Sequence, residues 1–457
     1  MGCLGNRRDW SGRSRSSWQG CDMNSWPRVP VSDLCSLIVD CVNKTAPSVD
    51  QETPYKMIRT TNIKNGRIDL TGCRSVSIET FDKWTKRAKV LRGDILLTRE
   101  APMGEVGRVN FDESVFLGQR VVQYRTDPEK LTSEYLLYSF LSPDLQYQFK
   151  RHDSSGSTVS HIRVPDCLKF EIPLPALGEQ KRIAAVLSTL DAKIDCNNRI
   201  NAELEAMAKT LYDYWFVQFD FPDTNGKPYK SSGGKMAYNA TLKREIPAGW
   251  EVGPLSDWIA SDKTGDWGKD TVEGNYTLGV DCIRGADING LNGTGTVAAP
   301  TRFILEKNKG KILAPFDFVI EISGGSPTQS TGRLALITSE TMKRFSQPLI
   351  CSNFCKAISL VDNSYFFNFA YLWKSAYDKK VLFGWEGKTS GIKNLLFDAF
   401  TGKHMVCMPP QKLAQRFFDF VSPLEIKKQK LLRENDKLEA LRDWLLPLLM
   451  NGQVTVA

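Results

Sequence analysis

Three histidines (His152, His161 and His404) and eleven cysteines supply all the imidazole and thiol chemistry in this 457-residue chain. The closest cysteines, Cys351 and Cys355, lack the second pair that a zinc site needs, and an odd number in a long chain reads as reduced thiols. Gly387-Lys388-Thr389 has the ending of a phosphate-binding loop but lacks the upstream glycine at the required spacing. Metal chemistry, histidine-based acid/base catalysis and nucleotide hydrolysis are therefore poorly provided for. A formal charge of +8 and a pI near 8.8 suit a polyanionic partner such as nucleic acid. No run of 18 apolar residues and no secretory h-region occurs, so the expectation is a cytoplasmic protein without a membrane span.

The elements that must position any site are organised around Gly178 to Phe219. Apolar and amide residues recur there at alternating spacings of four and three: Ile183, Leu187, Leu190, Ile194, Asn197, Asn201, Leu204, Ala208, Leu211 and Trp215. That is the period of a coiled-coil seam, and forty residues of it make a rod roughly 60 Å long that needs a second helix. Self-similarity supplies one. Asn201-Ala-Glu-Leu-Glu-Ala-Met207 recurs 234 positions later as Asn435-Asp-Lys-Leu-Glu-Ala-Leu441, and Leu190, Asp191 and Lys193 answer to Leu424, Glu425 and Lys427. Gln180 answers to Gln415 at an offset one larger, and Pro423 sits at the slip, so a break or kink is expected there. The predicted seam joins Ile183, Leu187, Leu190, Leu204 and Leu211 to Leu424, Leu431, Leu438 and Leu445, with Asn201 and Asn435 bonding across it to fix register.

Taken in order, residues 1–25 read as a disordered extension rich in Arg, Ser and Gly. Residues 26–177 mix short strands with helices: a helix over Val31 to Val42 capped by Ser32, strands at Tyr55 to Ile63 and Arg67 to Leu70 about the turn Lys64-Asn65-Gly66, and strands at Ile95 to Arg99 and Val115 to Arg125. A helix over Ser133 to Lys150 and the polar loop Arg151 to His161 follow. The first long helix spans 178–220, with a Pro/Gly/Ser-rich linker over 221–249. A second globular part over 250–410 repeats the order of the first: Tyr276 to Ile283 stands for Tyr55 to Ile63, and Gly387-Lys388-Thr389 for Gly156-Ser157-Thr158. The second long helix takes 411–450. The fold class expected is α+β, with two similar domains joined by two long antiparallel coiled-coil helices in a pseudo-twofold internal duplication.

The segments PLPALGEQKRIAAVLSTLDAKID, LYDYWFVQFDFP and EIPAGWEV closely resemble type I restriction-modification specificity subunits, and the resemblance runs from about residue 26 to 450. It implies that each globular part is a target recognition domain reading one half of a split, asymmetric site on double-stranded DNA. It also implies that the helices set the spacer and dock two methyltransferase subunits, and that nuclease-translocase (restriction) subunits can join. Catalysis, with S-adenosylmethionine as cofactor, is then expected in the partner methyltransferase and none in this chain. The methyltransferase signature, Asn or Asp followed by Pro-Pro and an aromatic, is missing, since Pro409-Pro410 lies between Met408 and Gln411. The competing reading is a structural coiled-coil adaptor that binds DNA without sequence specificity.

Arg pairs with guanine and Asn or Gln with adenine, while Ser, Thr and Lys hold phosphates. The expected DNA contacts in the first domain are Arg59, Lys64, Arg99, Arg108, Arg120, Ser157, Thr158 and His161. Those in the second are Arg284, Ser326, Gln329, Arg333, Asn353, Lys388 and Thr389. The aromatic end of the first long helix, Tyr212, Tyr214, Trp215, Phe216 and Phe219, is divided between core and a docking surface.

Overall fold

The computed structural model describes residues 26–151, 161–324, 329–389 and 392–456. The expected disordered tail over 1–25, and Ser157, Thr158 and Ser326 among the site residues, lie outside that set. The chain divides into two compact units, one formed by Met1–Asp191 with Ala440–Ala457 and the other by Ala192–Glu439.

In the first unit an antiparallel sheet runs in the order Cys35–Asp40, Val121–Thr126, Ile95–Thr98, Val106–Arg108. A second sheet sets Lys56–Ile58 antiparallel to Arg74–Ser75 and parallel to Val115–Leu117, and a two-stranded ladder pairs Arg28–Pro30 with Glu171–Pro173. Strand Ile95–Thr98 is buried throughout because both faces are covered. Ile95 and Leu97 enter the core of Tyr124, Tyr135 and Phe140, whereas Leu96 enters another with Ile58, Val109 and Val115. The tight turn at Asn65 and Gly66, with φ of 50° and 82°, joins Ile63–Lys64 to Arg67–Ile68 as expected of an Asn-Gly hairpin.

The second unit has the same connectivity. Its main sheet runs Ile259–Thr264, Cys355–Leu360, Phe318–Glu321, Leu334–Leu336. Tyr276–Ile283 lies antiparallel to Thr301–Leu305 and parallel to Leu349–Cys351, and Glu251–Pro254 pairs with Met405–Met408. The central strand again alternates between two cores: Phe318 and Ile320 meet Phe366, Phe369 and Trp373, while Val319 faces Ile283, Ile337 and Ala357. An additional sheet, Ser323–Gly324, Ile392–Leu395, Glu386–Thr389, belongs to this unit.

Several expectations need correction. Only Val31–Leu34 is helical, with Pro30 rather than Ser32 at its N-cap, and Cys35–Asp40 is a strand. The β-prone run Leu37-Ile38-Val39 is captured by pairing with Val121–Thr126, a tertiary contact that overrides local propensity. The helix over Ser133 to Lys150 is two helices, Ser133–Leu141 and Pro143–Lys150. Ser142, extended at ψ 151°, accepts a hydrogen bond from Leu145 N, and Pro143 takes the first helical position.

The long helices are Leu177–Tyr212, continued by a π-turn over Asp213–Val217, and Gln411–Met450, which runs through Pro423 without a break. Pro423 is exposed, so the carbonyl that it leaves without a donor faces water. Every seam residue named above is buried or half-buried. In the second unit the helices run antiparallel: Asn197 Nδ2 donates to Asn435 Oδ1 at 2.8 Å, and Lys428 Nζ lies 3.2 Å from Glu205. In the first unit Arg442 Nη1 donates to Asp191 at 2.9 Å, and Leu446, Leu449 and Met450 join the core of Ile183 and Leu187.

Asn201 and Asn435 are both buried, but they do not bond to each other. Asn435 is held by Asn197 and, through its own Nδ2 at 2.8 Å, by Asn198. The antiparallel arrangement that sets 197 against 435 places position 431 level with Asn201, and that residue is Leu431. The Asn201 amide therefore has no hydrogen-bond partner among the described residues.

Candidate nucleic-acid interface

A cleft of about 480 Å³ opens in the second unit beside the end of strand Phe318–Glu321, between Arg284, Asn353, Phe354 and Trp267. Glu321, buried at its floor, binds Arg333 with both oxygens, at 2.8 Å to Nε and 2.6 Å to Nη2. Gly285 makes this approach possible, because a Cβ there would stand 2.7 Å from Glu321 Oε1.

Arg284 begins a 3₁₀ turn. Its Nε and Nη2 donate to Asp287 at 2.9 and 3.0 Å, and Nη2 also reaches the Ala298 carbonyl at 2.7 Å. Burial opposes ionisation of Asp287, but hydrogen bonds from Arg284 and from the Ala298 and Arg284 amides outweigh it and hold the carboxyl below its usual range.

The turn Ser352 to Phe354 forms the rim. Ser352 N donates to Ile283 O at 2.8 Å, and the Phe354 carbonyl receives Ile322 N at 2.9 Å and Ser323 N at 3.1 Å. Asn353 and Phe354 are exposed, Phe354 at 55%.

The first unit builds the same frame from other residues. Gly118 N donates to Ile58 O at 2.7 Å, and the Arg120 carbonyl receives Arg99 N at 2.7 Å. A Cβ at Gly118 would meet Ile58 O at 2.6 Å. Arg59 begins the equivalent 3₁₀ turn, its N–H bound to Asn62 Oδ1 at 3.0 Å and its Nη2 to Gly72 O at 3.5 Å. Asn62 is neutral where Asp287 is an anion, so Arg59 keeps its full charge while Arg284 is compensated. Arg120 Nε lies 3.1 Å from Glu100. Arg99 Nη1 binds Ile162 O at 3.1 Å, which brings His161 to the same edge.

Arg59, Arg99, Arg120 and His161 are thus gathered together. Lys64 and Arg108 fall elsewhere, beside the Asn65-Gly66 hairpin, and Arg108 is occupied by Ser133 and by Glu134 at 2.5 Å. In the second unit Arg284 and Asn353 line the cleft and Arg333 binds its floor. Gln329 lies outside this cleft and lines the cavity of about 660 Å³ beside Asn201, Glu205 and Lys428. Lys388 and Thr389 occupy strand positions opposite Lys393 and Ile392.

Sequence reasoning passed over Gln119, Trp267 and Phe354. The offset of 234 that relates the long helices also maps Gln119 onto Asn353 and Arg120 onto Phe354, a signal that could have found both.

Burial pushes the thiols of Cys282, Cys351 and Cys355 up to about 12, which leaves them poor nucleophiles. No helix among the described residues is long and apolar enough to cross a membrane.

Residues 23–206 match the family described as the type I restriction modification DNA specificity domain. The chain is 25% identical over 370 residues to the type I restriction enzyme MjaIX specificity subunit of Methanocaldococcus jannaschii, covering 80% of this chain and 78% of that protein. It is 29% identical over 156 residues to the EcoBI specificity subunit of Escherichia coli, covering 34% and 32%. The fold resembles the crystal structure of a type I restriction-modification S subunit from M. genitalium, with a TM-score of 0.54 at 17% identity over 94% of this chain and 97% of that one. On these matches residues 23–206 carry a type I restriction modification DNA specificity domain, and the chain as a whole is similar to type I restriction-modification specificity subunits.

Proposed function

We propose that this chain is the non-catalytic DNA-specificity subunit of a type I restriction-modification complex, in which each unit reads one half of a bipartite, asymmetric site. The observation that carries this reading is the recurrence of one backbone frame, with its strand connectivity and turn hydrogen bonds, bearing unlike side chains: Arg59, Gln119 and Arg120 in one unit and Arg284, Asn353 and Phe354 in the other. Such recurrence supports an internal duplication into two target recognition domains, 26–177 and 250–410, linked by a coiled coil of helices that sets the spacer. Arg and amide side chains on the rims would face base edges, and the lysines and hydroxyls around them would face phosphates.

The helices also dock two methyltransferase subunits, which hold S-adenosylmethionine and do the chemistry, and restriction subunits join that core. All of this takes place in the cytoplasm. In the second unit the exposed residues Ile200, Met207 and Tyr214 recur every seven positions along the first long helix, an apolar stripe suited to a partner.

Methylome sequencing of cells carrying the methyltransferase partner with and without this chain tests the reading. One split motif, modified only when both are present, is the expected result. Methylation without a motif would favour the sequence-blind adaptor, and methylation by this chain alone would overturn the non-catalytic assignment.

A further inference from the structure

The position occupied by Arg120 in one unit and Phe354 in the other is fixed in backbone and free in side chain. In both units the residue two before it, Gly118 or Ser352, donates its N–H to the isoleucine carbonyl that ends the parallel strand. In both its own carbonyl receives an N–H from the residue after the central strand. The frame therefore holds this turn rigidly while tolerating a cation at one copy and an aromatic at the other.

Phe354 is 55% exposed on the rim of the cleft. The phenyl is thus mounted on a hydrogen-bonded turn and presented to solvent beside Arg284 and Trp267 of the cleft. The residue before it is an amide in both units, Gln119 or Asn353. Asn353 is exposed, and among the described residues the Gln119 amide makes one hydrogen bond, its Oε1 accepting from Thr45 Oγ1 at 3.1 Å.

We propose that these two dipeptides are the specificity-determining tips, and that Asn353-Phe354 reads an adenine followed or preceded by thymine. The Asn353 amide matches the N6/N7 edge of adenine, and the Phe354 ring lies on the thymine C5-methyl, the one apolar group in the major groove. Gln119-Arg120 offers the matching amide with a guanidinium in place of the ring, and so reads an adenine beside a guanine. This rests on the DNA-reading function proposed above and adds which residues carry the difference between the half-sites.

The test uses the full chain in complex with its methyltransferase partner and DNA carrying single-base variants of the methylated motif. Phe354→Ala is expected to lower discrimination about tenfold at one thymine of one half-site, the size of a single base contact. The other half-site and the spacer stay unchanged, which reports that the protein is folded. Replacing that thymine by uracil, which removes only the methyl group, is expected to weaken the wild type about as much and to leave Phe354→Ala unaffected. Arg120→Ala is expected to relax a guanine in the opposite half-site. The proposal is overturned if Phe354→Ala keeps every base preference, if uracil is tolerated at all thymines of that half-site, or if both substitutions alter the same half. A wild-type complex with no preferred sequence overturns the recognition function itself.

Discussion

Lys428→Met is expected to destabilise the second unit by about 3–5 kcal/mol, the cost of removing one member of a buried ion group, and to lower its unfolding midpoint by roughly 10 °C. The Lys428 side chain is only 6% exposed and stands 2.6 Å from Glu425, equally buried, and 3.2 Å from Glu205. Glu205 is shared with Lys374 at 2.5 Å. Burial works against the Lys428 charge, yet the two carboxylates outweigh it and raise the ammonium above its ordinary range. Methionine keeps the stem and removes the charge, leaving Glu205 and Glu425 near one another without the cation between them.

The pH dependence follows from the same group. Burial opposes ionisation of Glu205, but Lys428 and Lys374 overcome it and hold the carboxyl at about 2. A depressed carboxyl contributes its full stability above the unfolded value near 4.5 and loses it as pH falls towards 2. The deficit of Lys428→Met relative to the wild type is therefore large at pH 7 and shrinks below about pH 4, as the carboxyls take up protons. Thermal or urea unfolding of the full chain at both pH values measures this, and an equal deficit at pH 3 and pH 7 would contradict the ionic origin.

Met207→Glu is expected to abolish assembly rather than folding. Met207 is 51% exposed at the centre of the stripe between Ile200 and Tyr214, so the free chain loses little when a charge is placed there. A docked methyltransferase would have to bury that carboxylate without a partner. A loss of about 100-fold in affinity, close to 2.7 kcal/mol, is within the range of a central interface position. Pull-down or mass photometry of the complex reads the assembly, unfolding of the free chain supplies the control, and Met207→Leu restores binding. Undiminished assembly by Met207→Glu would remove this stripe from the interface.

The long helices were legible because their signal is long and local: a four-three spacing sustained over forty residues, repeated at a fixed offset. The strand Cys35–Asp40 was not, since its sequence suits helix or strand and its partner, Val121–Thr126, lies some 85 positions away. Pro423 shows the limit of reading a residue without its neighbours, because its cost depends on which face of the helix it occupies. Both amides are buried, but Asn201 and Asn435 do not bond to each other. Residues of like type 234 positions apart are not the residues that touch, and only the observed register reveals that Asn435 meets Asn197.

The site divides in the same way. Selecting by polar type found Arg59, Arg120, Arg284 and Asn353, which the fold gathers at two equivalent edges. It could not find Phe354, an exposed apolar ring on the rim of the cleft. Nor could it see that Arg333 and Arg108 are held by Glu321 and Glu134.

The unmatched Asn201 amide gives the first long helix a weak turn. It faces Leu431, where an exchange of hydrogen bonds is impossible, and it lines a cavity of about 660 Å³ with Glu205 and Lys428. Backbone amide hydrogens near Asn201 will therefore trade for deuterium sooner than those around Ile183 and Leu187, which pack in a continuous apolar core. The helix thus yields in its second half, around Asn201, before it yields where Ile183 and Leu187 pack.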